Sequence, residues 1–169
     1  MGGTGGTQGT LQYDVGAMYG TVLEIHSWLR WFTLLMCVGA IVYAARKPAP
    51  GATEIPGKTW DTYLMLAVDL QMLTGLLLYF GLSPFTMEAM NNPGAAWSIP
   101  PLRFWAIIHA GAMFLSLLSV RVGRVLAMNA PTLEIAQRRR LVWFIVTTLV
   151  VLSAIPWPGL ANGRPLFRW

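Results

Sequence analysis

Apolar residues in this chain fall into long blocks separated by short polar stretches, with no sustained strand-like alternation. A bilayer core about 30 Å thick takes roughly 20 apolar residues of helix, and four blocks are read as spans, at residues 22–45, 60–82, 102–128 and, the shortest, 141–156. Each is ended by residues that oppose helix or prefer water. Arg46, Lys47, Pro48 and Pro50 close the first block, and Ser83-Pro84 the second. The third opens after Pro100-Pro101, and the fourth runs from Arg138, Arg139 and Arg140 to the Pro156-Trp157-Pro158 cluster. The pattern predicts an all-α integral membrane four-helix bundle at 21–169, preceded by a flexible glycine-rich segment at 1–20.

Composition supports the membrane class: 55% of the 169 residues are hydrophobic and 11% charged. The net charge of +5 does not point to nucleic acid, because the basic residues gather in short loops as topology signals do. Arg46, Lys47, Lys58, Arg121, Arg124 and Arg138 to Arg140 share one side, against Arg103, Arg164 and Arg168 on the other. The first set is expected to be cytoplasmic, giving an N-out, C-out bundle in a bacterial inner membrane, with Trp97, Trp105, Trp157 and Trp169 in an outer aromatic belt. Cys37 is the only cysteine, so no disulfide or thiolate cluster forms within the chain. The opening residues lack the basic and apolar regions of a signal peptide and are expected to stay in place.

Against this background the ionisable residues inside the blocks stand out. His26 and His109 lie one and two turns in from the same predicted outer face, on helices that run in parallel, so their imidazoles are expected at matched depth. Facing histidines across a bundle suit axial ligation of a haem iron. A chlorophyll-type pigment and no cofactor at all remain the alternatives, since either histidine could simply hydrogen-bond a neighbouring helix. Gly75 and Gly111, with Met72 and Met113, would suit the faces of a flat macrocycle. Arg30 and Asp69 are expected to form an ion pair between the first two spans, with Gln71 beside it. Arg30 or, better placed, Arg103 could meet a haem propionate.

Four local strings carry a family resemblance: HSWLRW at 26–31, DLQMLTGLLLYF at 69–80 followed by LSP at 82–84, RFWAIIH at 103–109 and SAIPWP at 153–158. They resemble a family of small bacterial four-helix membrane proteins often labelled cytochrome-b-like, over residues 24–169. The resemblance adds weight to the haem reading, and because the four spans use nearly the whole chain, a non-catalytic or electron-transfer subunit is expected rather than a stand-alone enzyme.

Two functions follow as expectations. One is an electron-transfer subunit holding haem b between His26 and His109, in a respiratory or photosynthetic complex, with a quinol or cytochrome c as redox partner. The other is a cofactor-free accessory subunit of a larger membrane complex, in contact with lipid and neighbouring subunits. Transport ranks last, because the chain shows neither repeats nor broken spans.

Overall fold

The computed structural model describes residues 5–167, with side chains from Asp14 onward. Arg168 and Trp169, placed by the sequence on the outer side, lie outside the described residues. All regular structure among the described residues is helical: α1 (Gly5–Ala44), α2 (Lys58–Leu82), α3 (Pro84–Asn91), α4 (Pro93–Ser98), α5 (Pro100–Met128) and α6 (Leu133–Ala154). Asp14–Ala44, Lys58–Leu82 and Pro100–Met128 are long and apolar enough to cross a membrane. The fourth long helix, α6, has 22 residues and carries Glu134 and Arg138 to Arg140 in its first half.

Two boundaries differ from the sequence reading. The segment 1–20, expected to be flexible, is helical from Gly5 and continuous with the first apolar block. At about 1.5 Å per residue, α1 is about 60 Å long, twice the thickness of a bilayer core. The stretch between the second and third apolar blocks is also folded, as α3 and α4, each opened by a proline at its first turn where no N–H is needed.

The long helices form a ring in which α1 packs on α2 and α6, and α5 packs on the same two. Helices α1 and α5 are therefore diagonal across the bundle. Its apolar centre joins Met36, Cys37 and Ala40 of α1 to Leu64, Ala67 and Val68 of α2, Val120 of α5 and Phe144 of α6. Small residues let these helices approach. At Gly123 any Cβ would run into the Trp143 side chain, which fixes the α5–α6 distance. The same two helices exchange a hydroxyl bond, Ser119 to Thr147, at 2.7 Å.

A buried polar clasp closes the end of the bundle opposite the site described below. Arg140, fully buried, forks onto the Asp61 carboxylate with its Nε 2.8 Å from Oδ2. Its Nη1 donates to Pro56 O at 2.9 Å and its Nη2 to Gly57 O at 3.1 Å, while Gln137 Oε1 takes another Nη1 hydrogen. Gln137 in turn donates to Arg46 O at 2.9 Å. One guanidinium thus ties α6 to the α1–α2 connection and the start of α2. Of the three arginines read as a topology signal, Arg140 is an internal structural residue, whereas Arg138 is exposed.

Removing one partner of such a pair leaves the other charge buried and uncompensated. Asp61→Ala is expected to lower stability by about 3 kcal/mol or more, and Arg138→Ala by less than about 0.5 kcal/mol. Unfolding of the detergent-solubilised protein followed by circular dichroism checks both.

Candidate functional site

The end of the bundle away from the Arg140 clasp encloses a cavity of about 240 Å³ reached by all four long helices and by the segment after α6. His26 and Arg30 enter it from α1, Gln71 and Gly75 from α2, His109 and Met113 from α5, and Arg164 from the carboxyl-terminal segment. Leu76, Phe80 and Phe114, which also line it, are 44%, 65% and 55% exposed. The cavity therefore opens sideways, between α2 and α5.

His109 owes its orientation to the end of α6. In a continuing helix the carbonyls of Leu152 and Ala154 would accept from residues 156 and 158, but both are prolines without an N–H. Trp157 Nε1 takes the first of these carbonyls at 2.9 Å, and His109 Nδ1 the second at 2.8 Å. A carbonyl only accepts, so His109 carries its hydrogen on Nδ1 and keeps the Nε2 lone pair. The backbone on the His109 side is unusual too: Phe104–His109 is a π-helical stretch within α5, a distortion that re-aims side chains and recurs at functional sites. Trp105 and Phe104 flank the ring at centroid distances of 5.4 and 6.1 Å.

His26 faces His109 across the diagonal, their ring centroids 6.2 Å apart. A Gln71 amide nitrogen lies 3.2 Å from His26 O and 3.0 Å from His26 Nε2. Contact with the carbonyl requires the NH2 group there, which fixes the amide and makes Nε2 an acceptor. The His26 hydrogen is then on Nδ1, donated to Thr74 Oγ1 at 3.0 Å, and the threonine hydroxyl donates to Leu70 O at 3.0 Å. Both imidazoles thus share one tautomer. Gln71 is nine-tenths buried, and its Oε1 has no hydrogen-bond partner among the described residues. Gly75 makes room for the ring, since a Cβ there would lie 3.3 Å from His26 Cε1.

The segment after α6 crosses the end of the cavity. Arg164 places its guanidinium 5.2 Å from the Trp105 ring and 5.6 Å from that of Phe85. Leu166 O then accepts from Arg30 Nη2 at 2.6 Å and from Trp31 Nε1 at 3.0 Å, and Phe167 stacks on Trp31.

Of the residues singled out in the sequence, His26, His109, Arg30 and Gly75 meet at the cavity, with Met72 and Met113 in its wall. Gly111 does not: it is exposed, and a Cβ there would touch nothing within 4 Å. Arg103 is exposed as well and donates to Trp97 O at 3.4 Å, away from the cavity lining. The expected Arg30–Asp69 ion pair is replaced by Asp69–Arg121 at 2.6 Å, across α2 and α5. Asp69 is about 100° around α2 from Val68, which faces the core, so the carboxylate turns away from α1. Sequence reasoning missed Arg164, Thr74 and the Ala154 carbonyl. The carbonyl had a signal in the Pro156–Pro158 spacing, whereas Arg164 lies in an aperiodic segment and had none.

Comparison of the chain with family profiles, curated proteins and solved structures found no match.

Gly75→Val is expected to press on the His26 ring and lower stability by about 1–3 kcal/mol, while Gly111→Val costs less than about 0.5 kcal/mol. Thermal unfolding of the two variants beside wild type reads the difference.

Proposed function

We propose that the protein is a membrane electron-transfer subunit that holds haem b between His26 and His109. The observation that carries this reading is the pair of imidazoles, both protonated on Nδ1, facing each other across a cavity at 6.2 Å. Imidazoles bonded through Nε2 to opposite sides of one metal ion, at about 2 Å each, have ring centroids about 6 Å apart. Donation from Nδ1 to a carbonyl or hydroxyl is also the arrangement that orients a ligating histidine and raises its basicity.

The donor set fits the group once Gln71 turns off His26 Nε2. Trp105, Met113 and Phe114 would line it, and Arg164 and Arg30 would face its carboxylates. When bound, the group supplies one-electron chemistry. The chain supplies two basic nitrogens, an apolar wall that limits water, and cationic side chains at the outer end, which together set the potential.

In this reading α6 is the fourth membrane span, and the basic residues place the Arg140 end in the cytoplasm and the cavity near the periplasmic face of a bacterial inner membrane. A quinol or a periplasmic cytochrome is the redox partner, within a larger respiratory or photosynthetic complex. One observation favours a second reading, that of a cofactor-free accessory subunit: the Gln71 amide already occupies His26 Nε2.

A pyridine haemochrome assay separates the two. Purified from cells supplied with haem, the wild type is expected to hold one haem b per chain and the His26→Ala/His109→Ala double variant none. A wild type without haem overturns the proposal and leaves the accessory reading.

A further inference from the structure

The two histidines are not equivalent. His109 Nδ1 is bound to a backbone carbonyl that has no other helical donor, and its Nε2 has no hydrogen-bond partner among the described residues. His26 has both nitrogens engaged, Nδ1 with Thr74 and Nε2 with Gln71. The Gln71 amide spends its hydrogens on the nitrogen and the backbone oxygen of one residue, while its own Oε1 stays buried and unsatisfied. A buried carbonyl oxygen without a donor is costly, which lowers the cost of moving the side chain away.

We infer, resting on the haem reading above, that His109 would hold the group without competition, whereas His26 would hold it only while Gln71 is off its Nε2, because the amide competes for that lone pair. While Gln71 held His26 off, the group would be open to a small neutral molecule on the His26 side. Whether His26 held the group would depend on whether Gln71 occupied its single Nε2 lone pair. Gly75 matters to the exchange because the His26 ring lies against it with no side chain between them.

The test uses the full-length protein in detergent, loaded with haem, with carbon monoxide as the probe. His26→Ala is expected to keep one haem per chain and to bind carbon monoxide in the ferrous state, whereas His109→Ala loses the haem. Gln71→Leu, close in shape but unable to hydrogen-bond, is expected to raise the six-coordinate low-spin fraction. It should also slow carbon monoxide association about five- to tenfold, the shift expected from one buried hydrogen bond.

Equal haem loss in the two histidine variants overturns the inference while the haem reading stands. So does a Gln71→Leu protein whose spectrum and carbon monoxide kinetics match wild type. A wild type that takes up no haem overturns both. Circular dichroism of each variant separates lost ligation from lost fold, and the Gln71→Leu measurement stands alone should His109→Ala fail to fold.

Discussion

Backbone carbonyls buried in a helical bundle have to find donors, and the half of this protein that holds the cavity is arranged around two that its own prolines leave without one. With Pro156 and Pro158 unable to donate, Leu152 O is met by the indole of Trp157 and Ala154 O by the imidazole of His109. The second bond crosses from α6 to α5. It selects the tautomer of His109, which ends the π-helical stretch of α5. The chain that the prolines force out of the helix then crosses the cavity, carrying Arg164 onto Trp105 and Leu166 O onto Arg30.

The other end obeys the same rule with charge in place of a ring. Arg140 divides its donors among Asp61, Gln137 and the carbonyls of Pro56 and Gly57, binding three parts of the chain with one side chain. Between the two polar ends lies a centre of alanine, valine, leucine and one cysteine, with glycine where an aromatic ring must pass. The rigid clasp and packed centre hold α1 and α5 on the diagonal. Near the site, the bonds of Gln71 and Thr74 to His26 and of His109 to Ala154 O replace that packing beside the cavity.

What the sequence disclosed, it disclosed through length and depth. Apolar blocks long enough to cross a bilayer marked α1, α2 and α5, and counting residues from one face brought His26 and His109 to the same level. Depth alone does not give direction, however. Arg30 and Asp69 were matched by level but point to different sides of their helices, and Gly111 failed for the same reason. Arg140 resembled a loop charge because its neighbours are loop charges; only the fold brings Asp61 to it. Helix from Gly5 onward ran against the low helix propensity of glycine, so that stretch was expected to be flexible. Arg164 depends on a chain reversal after two prolines, which leaves no periodic trace.

The central claim is that the two imidazoles face one cavity in order to share a ligand. An experimentally determined structure of the protein purified from haem-supplied cells tests it most directly. The account predicts flat density between His26 and His109, with Gln71 turned away from His26 Nε2 and Arg164 at its edge. A cavity filled by a lipid chain, or one with Gln71 still bonded to His26 and no density between the rings, would contradict it.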